Sequence, residues 1–146
     1  MGISQWNKSA LWKNGYGTEL GSSLFFAEDI FGGQFCIRNG AVSYFEPETG
    51  EFTAVAATVE DWARWILEEP EVRTGAPIAQ AWQRKHGPLK PGKRLLPSVP
   101  FVLGGQYEIG NLYEIEDVEG MCFRASIASQ LNGVPDGATV ELDLKK

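Results

Sequence analysis

Short apolar runs, each closed by turn-forming residues, recur between positions 24 and 56. They predict strands at Leu24–Ala27, Gln34–Arg38, Ala41–Phe45 and Phe52–Ala56. Asn39-Gly40 supplies the positive dihedral angles of a tight hairpin, and Gly32-Gly33 allows a bend or bulge between the first two runs. The pattern is that of a folded β-meander.

An amphipathic helix follows the meander, from Thr58 to about Glu69. Thr58 stands where a capping residue is expected, because its hydroxyl group can accept a hydrogen bond from a first-turn amide. Trp62, Trp65 and Ile66 share one face by three- and four-residue spacing, and charged residues occupy the other face. This helix is therefore predicted to lie against the sheet.

The second half of the chain has weaker periodicity. Pro77–Lys85 predicts a second helix, because proline is tolerated in a first turn, and Gly87–Pro100, with four prolines, predicts an extended loop. Phe101–Leu103, Tyr107–Ile109 and Leu112–Ile115 together predict two more strands or a bulged pair. Cys122–Gln130 fits a strand or a helix, and we favour a strand start that passes into a short helix around Ser126–Leu131. Thr139–Leu144 predicts a last strand.

The first 23 residues show no sustained period. We predict a short helix or irregular arm that docks its aromatic residues onto the core. Trp6 and Trp12 could instead anchor an interface, since aromatic side chains bury a large area at low entropic cost.

Composition fits one domain, because 146 residues with 43% hydrophobic residues can form a single core. No apolar run approaches the roughly 20 residues of a membrane helix, and no signal-peptide pattern opens the sequence. We therefore expect a cytoplasmic protein. Cys36 and Cys122 lie in apolar stretches without metal-ligand spacing, so buried thiols are expected rather than a disulfide.

The formal net charge of −6 disfavours non-specific nucleic-acid binding, which needs a surplus of basic residues. The charges are also segregated. Positions 72–106 carry basic residues and no carboxylate, and the acidic residues Glu108, Glu114, Glu116, Asp117 and Glu119 follow. Such segregation either gives the folded protein opposed patches that steer basic partners or reflects ordinary solvation of loops.

Candidate catalytic groups are sparse. His86, the only histidine, follows two basic residues at a predicted helix end, where a cation suits the helix dipole. One histidine and two distant cysteines cannot form a zinc site, and neither Gly32-Gly33 nor Gly104-Gly105 continues into a phosphate-loop motif. We expect no catalytic residues, no metal and no cofactor.

Paired carboxylates are common, and Glu28-Asp29 differs from the other pairs. It lies between Phe26 and Phe31 at the predicted bend. These carboxylates either cap the turn by accepting backbone hydrogen bonds or contribute to a binding surface.

Several segments together resemble the Smi/Knr branch of the SUKH superfamily. They are Phe25–Phe35, Tyr44–Glu51, Trp62, Pro100–Gly105 and Pro135–Gly137. The first is the most specific, since an aromatic-acidic-Phe-Gly-x-x-Phe stretch followed by a hairpin and a Glu-Thr-Gly loop is hard to obtain by chance. The resemblance covers the chain from about Leu24 onwards.

The resemblance implies an α+β fold without enzymatic activity. Many bacterial members look like immunity proteins that neutralise a cognate toxin by binding it in the cytoplasm. Members usually open with a helix and a longer segment before the first strand, so residues 1–23 are either shortened or replaced. An uncovered first edge of the sheet would favour self-association.

We therefore expect one SUKH-like α+β domain over residues 1–146, with a twisted, mostly antiparallel sheet and two to three helices packed on it. The expected function is that of an immunity protein, which occludes a toxin with a basic surface and binds neither nucleic acid nor a membrane. The candidate partner-binding residues are Glu28, Asp29, Glu114, Glu116, Asp117 and Glu119. The alternatives are an intracellular scaffold or regulatory domain, and a carboxylate-dependent enzyme, which convergent, partly buried acids in a pocket would indicate.

Overall fold

A four-stranded antiparallel sheet forms one layer of the structure, a computed structural model that describes residues 1–144. Its strands are β1 (Leu24–Glu28), β2 (Gln34–Arg38), β3 (Ala41–Glu46) and β4 (Glu51–Ala56), in that spatial order. Asn39 (φ 51°) and Gly40 (φ 78°) form the β2–β3 turn with two positive φ angles. The predicted meander is confirmed.

Helix α2 (Val59–Glu68) packs on this sheet. The Thr58 hydroxyl caps it by accepting a hydrogen bond, at 3.1 Å, from the amide three residues later. The Trp62 ring packs edge-on against Phe26 with centroids 4.9 Å apart, and both Trp62 and Trp65 contact the ring of Phe35. The predicted inner face of this helix is therefore confirmed.

Two more helices follow directly. The short helix α3 (Pro70–Thr74) was not predicted; its first residue is a proline, which the first turn accommodates because that position needs no amide donor. Helix α4 (Ala76–His86) confirms the second predicted helix. Trp82 of α4 is buried, and its indole nitrogen donates a hydrogen bond to the Leu112 carbonyl at 3.3 Å, which fixes α4 to the second sheet.

The second sheet pairs β5 (Lys93–Pro97) with β6 (Leu112–Glu116) in antiparallel register. The prediction of β6 is confirmed, but the extended loop predicted for Gly87–Pro100 contains β5 and is wrong over that part. Leu95 and Leu96 are both fully buried, so this strand lacks the alternation that identifies a half-exposed strand.

The chain between the two strands folds back on itself. Phe101–Leu103 is a 3₁₀ helix rather than a strand, and a second 3₁₀ helix at Ile109–Asn111 replaces the strand predicted at Tyr107–Ile109. A Cβ atom on Gly105 would overlap the Val99 carbonyl. The backbone therefore folds back closely on itself here instead of running extended as a strand. The apolar content of the segment does not reveal this close approach.

Helix α5 (Asp117–Leu131) continues from β6. The strand predicted to start at Cys122 is wrong, and the helix begins well before Ser126. The buried residues of this helix are Gly120, Met121, Arg124, Ala125, Ile127 and Ala128. They cover a wide arc that includes an arginine and a glycine, so the sequence shows no clear apolar stripe.

The N-terminal arm docks on the core as predicted, through α1 (Ile3–Trp6), a 3₁₀ helix at Lys13–Tyr16 and the buried ring of Trp12. That ring packs edge-on against Phe25 with centroids 5.0 Å apart. The proposal that Trp12 anchors an external interface is therefore wrong, because its side chain lies inside the molecule.

The arm also covers part of the outer edge of β1. The side chain of Asn7 accepts a hydrogen bond from the Phe25 amide at 2.9 Å and donates one to the Phe25 carbonyl at 2.7 Å. An amide side chain thus takes the place of a neighbouring strand at this one position of the β1 edge.

The C-terminal segment differs from its prediction. Pro135-Asp136-Gly137 forms a turn as expected, but Thr139–Leu144 is not a strand. The side chain of Gln130 instead holds the backbone of Asp143, with an N–O distance of 2.8 Å from the Asp143 amide. The alternating apolar residues of Thr139–Leu144 therefore do not belong to a strand that pairs with a neighbouring strand.

Both cysteines are free thiols. Cys36 is buried as predicted, but Cys122 on α5 is exposed, so the prediction of a buried thiol is wrong there. Within residues 1–144, no helix combines the length and the apolar character needed to cross a membrane.

Candidate functional site

A cavity of about 730 Å³ lies between the surface of β3 and β4, helices α2 to α4 and the loops at Phe31 and Phe101–Tyr107. We call it the aromatic groove. Its lining includes Asp29, Phe31, Tyr44, Glu46, Val55, Trp65, Val72, Arg73, Ile78, Phe101, Tyr107 and Arg124. The volume falls in the range of about 300–1,000 Å³ that is typical of ligand sites.

One wall of the aromatic groove is a stack of aromatic rings. Phe101 and Tyr107 lie parallel with centroids 3.9 Å apart, and the ring of Phe31 meets both edge-on. Tyr107 is 60% exposed, and Val72 across the opening is 80% exposed. Large apolar side chains therefore remain uncovered at the rim of a concave surface, which is typical of binding sites.

Asp29 organises the floor of the groove. Its Oδ1 accepts hydrogen bonds from the amides of Phe31 and Gly33 at 2.9 and 2.8 Å, and its Oδ2 accepts one from the Tyr44 hydroxyl at 3.0 Å. This carboxylate satisfies buried backbone donors and holds the β1–β2 loop in place. Of the two roles considered for Asp29, turn capping is confirmed.

The glycine pair in this loop has a steric explanation. A Cβ atom on Gly33 would overlap the Tyr44 hydroxyl and the Asp29 carboxylate, and one on Gly32 would overlap the guanidinium of Arg124. Gly32 also has a φ of 78°. The pair therefore permits both the turn and the approach of three polar side chains to it.

Arg124 reaches the same loop from α5. It is 3% exposed, and its Nη1 donates a hydrogen bond to the Phe31 carbonyl at 2.6 Å. Its Nε is buried without a hydrogen-bond partner. A buried guanidinium with an unsatisfied donor is costly, and the charge of this guanidinium acts on the nearby carboxylates of Asp29 and Glu46.

Burial governs the ionisation of the floor. It raises the pKa of Asp29, although the three hydrogen bonds and the Arg124 charge oppose it. Burial also raises the pKa of Glu46, which the Asp29 and Glu48 charges raise further and Arg124 lowers. The pKa of Tyr44 is raised by burial and then by Asp29, so its hydroxyl group stays a donor.

A second concave surface, of about 690 Å³, lies beside β6 and α5. We call it the acidic groove. Its lining residues are Lys93, Ser98, Tyr113, Glu114, Ile115, Glu116, Glu119, Cys122, Phe123, Ser126 and Leu144. Three glutamates thus share the lining with apolar side chains, and one lysine is their only basic neighbour in that lining.

The electrostatics of the acidic groove show that these charges act together. Lys93 Nζ lies 2.7 Å from Glu116 Oε1. The hydrogen bond to Glu116 raises the pKa of Lys93, and the charges of Glu114 and Glu119 raise it further. One lysine cannot neutralise three carboxylates, so the groove keeps a negative potential.

The six candidate partner-binding residues fall in three places. Glu114, Glu116 and Glu119 share the acidic groove, whereas Asp29 lies in the floor of the aromatic groove. Glu28 and Asp117 lie together in a smaller cleft, where Arg94 forms an ion pair with Glu28. The basic and acidic segments of the sequence do not form two opposed faces of the folded protein, because basic residues of β5 form ion pairs with acidic residues.

Sequence reasoning missed most of the aromatic groove. Tyr44 and Glu46 belong to a predicted strand and Arg124 to a segment whose helix was misplaced, while Phe101 and Tyr107 meet only through the fold. A usable signal was the glycine pair three residues after Asp29, since adjacent glycines in a turn indicate close approach of other groups.

Other candidate chemistry is structural. The ring of His86 stacks on Trp82 with centroids 4.5 Å apart, at the end of α4. Among residues 1–144, no three His, Cys, Asp or Glu side chains are arranged to hold a metal ion.

Comparison of the chain with protein-family models, with curated proteins and with solved structures finds no match.

Proposed function

We propose that this chain is a stoichiometric binding protein that neutralises a toxin, as immunity proteins of the SUKH type do. The observation that carries the proposal is the acidic groove, whose lining combines Glu114, Glu116 and Glu119 with apolar side chains. A partner with a basic, partly apolar surface complements such a groove in both charge and chemistry.

Neutralisation would occur by occlusion. The glutamates attract the basic surface with which a toxin binds its substrate, and this long-range attraction raises the association rate. Tyr113 and Phe123 then offer apolar area in the groove, and burial of that area slows dissociation. No bond is made or broken in the toxin.

The test is co-expression with the product of the adjoining gene, followed by purification of the complex. Wild-type protein should restore growth and co-purify at equal stoichiometry, and the double variant E114Q/E119Q should need higher expression for the same rescue. The matched control E19Q/E60Q removes two exposed charges outside the groove and should behave as wild type. Rescue that is equal for both double variants would contradict the acidic groove as the contact surface.

A carboxylate-dependent enzyme is the second candidate, because Asp29 and Glu46 converge in the aromatic groove with raised pKa values. The hydrogen bonds favour the binding function over this one. Both Asp29 oxygens accept hydrogen bonds from the protein, and Glu46 Oε1 accepts one from the Glu48 amide at 3.1 Å. Turnover that is lost in E46Q would favour the enzyme instead.

A further inference from the structure

The aromatic groove has a mostly apolar lining with carboxylates in its floor, and no other part of the described chain fills it. The stacked pair Phe101 and Tyr107 forms one wall, and Val72 and Ile78 lie among the lining residues from α3 and α4. Val72 and Tyr107 are mostly exposed, so apolar side chains of the lining remain accessible to a partner. Such a rim fits a segment of another protein better than a small molecule enclosed by its site.

The charges of the groove are unbalanced. The lining contains three carboxylates, Asp29, Glu46 and Glu71, and two guanidinium groups, Arg73 and Arg124. Arg73 is already engaged, since it forms ion pairs with Glu68 and Glu69 at 3.2 and 2.9 Å and lies over the Trp65 ring. In the described lining, Arg124 is the guanidinium left to offset the partly buried pair Asp29 and Glu46, so carboxylates outnumber the guanidinium groups that can pair with them.

The position of Arg73 also shows what this lining can hold. Its guanidinium carbon lies 4.1 Å from the centre of the Trp65 ring, and its Nη1 donates a hydrogen bond to the Trp65 carbonyl. The protein thus already binds one cation against an aromatic side chain of the groove by cation–π attraction. The wall of Phe31, Phe101 and Tyr107 offers further aromatic rings, and no cation lies over any of them among the described contacts.

We propose that the aromatic groove binds a protein segment in which one lysine or arginine side chain is flanked by apolar side chains. The apolar residues cover Val72 and Tyr107 at the rim, and the basic side chain reaches the Asp29 and Glu46 end of the floor. This inference rests on the proposed binding function, and it assigns a second contact surface to the same kind of partner.

The experiment uses the full chain and needs no toxin. Acetyl-Leu-Lys-Leu-Phe-amide is titrated into ¹⁵N-labelled protein, and two matched peptides replace lysine with uncharged norleucine or with glutamate. The reporter is the indole N–H signal of Trp65, assigned with W65F. The lysine peptide should shift this signal and bind about tenfold more tightly than the norleucine peptide, and the glutamate peptide should bind most weakly.

Two variants separate the apolar and the charged contributions. E46Q keeps an acceptor for the Glu48 amide and should bring the affinities of the lysine and norleucine peptides close together. V72S changes an exposed rim residue and should weaken both peptides alike without unfolding the protein, while E19Q/E60Q should match wild type.

Equal affinity for all three peptides would overturn the proposal, as would tighter binding of the glutamate peptide. Absence of any shift of the Trp65 signal at about 5 mM peptide would also overturn it. Failure of toxin neutralisation with intact lysine-peptide binding would reject the proposed function and leave the groove assignment standing.

Discussion

The two grooves are built from opposite kinds of contact. The acidic groove is formed largely by β6 and α5, which follow each other directly in the chain, and its glutamates lie at or near the surface. The aromatic groove joins residues separated by up to 95 positions, from Asp29 to Arg124, around a buried polar floor. We therefore expect substitutions in the acidic groove to leave the fold intact, whereas substitutions in the floor of the aromatic groove should destabilise the fold.

The sharpest test of this difference is G33A. An added Cβ atom would overlap the Tyr44 hydroxyl and the Asp29 carboxylate, so the floor must shift and its hydrogen bonds must lengthen. We expect a loss of about 2–3 kcal/mol in the free energy of unfolding, measured by urea denaturation. The control is G110A, because a Cβ atom there meets nothing within 4 Å; equal losses for both variants would contradict the account of the floor.

Removal of one hydrogen bond from the floor of the aromatic groove should lower the free energy of unfolding by a smaller amount. Y44F deletes the hydroxyl that donates to Asp29 Oδ2 and leaves a buried acceptor unsatisfied. The expected loss is about 1–2 kcal/mol in the free energy of unfolding, measured in the same way. An unchanged midpoint would mean that water replaces the hydroxyl and that the floor is open to solvent.

The pH dependence of stability should also distinguish the grooves. Burial raises the folded-state pKa values of Asp29 and Glu46. Their contribution to stability is therefore fully present below their ordinary pKa values of about 4 and is lost as the pH rises through the folded-state values. The free energy of unfolding of E46Q should therefore fall less than that of wild type between about pH 5 and about pH 7.5.

The matched variant for this pH series is E119Q, which removes an exposed carboxylate of the acidic groove. It should follow the wild-type curve of unfolding free energy against pH. A wild-type curve and an E46Q curve that run parallel would show that Glu46 is not buried as described.

How far the sequence predicts each region follows from the same difference. The meander from Leu24 to Ala56 was predictable because hairpins are local and Asn39-Gly40 specifies its own turn. The acidic groove was foreseen in part, since Glu114, Glu116 and Glu119 are close in sequence. The aromatic groove was not, because nothing near Arg124 in sequence indicates that its guanidinium reaches the Phe31 carbonyl.

The errors in the second half have a common cause. Strand β5 is buried at consecutive positions, and α5 is buried over a wide arc, so neither shows the period on which sequence prediction depends. The tail at Thr139–Leu144 shows a strand period without a partner strand. Hydrophobic periodicity identifies a helix or strand that has one buried and one exposed face. The prediction fails where tertiary packing covers more than one face.

The smallest effect on stability is expected in the acidic groove. E114Q/E119Q removes two charges without deleting a hydrogen bond of the core, so the free energy of unfolding should stay within about 0.5 kcal/mol of wild type. Association with a basic partner should slow by about tenfold at low salt and converge with wild type at high salt. Stopped-flow fluorescence measures the rate, and a salt-independent difference would argue against steering by charge.

The most direct test of the central claim is the stoichiometry with which purified protein inhibits the activity of the proposed toxin partner. If the chain acts by binding, inhibition should increase linearly with added protein and become complete at one equivalent. Complete inactivation at a small fraction of an equivalent, or any product formed by the chain alone, would contradict the account and identify it as an enzyme.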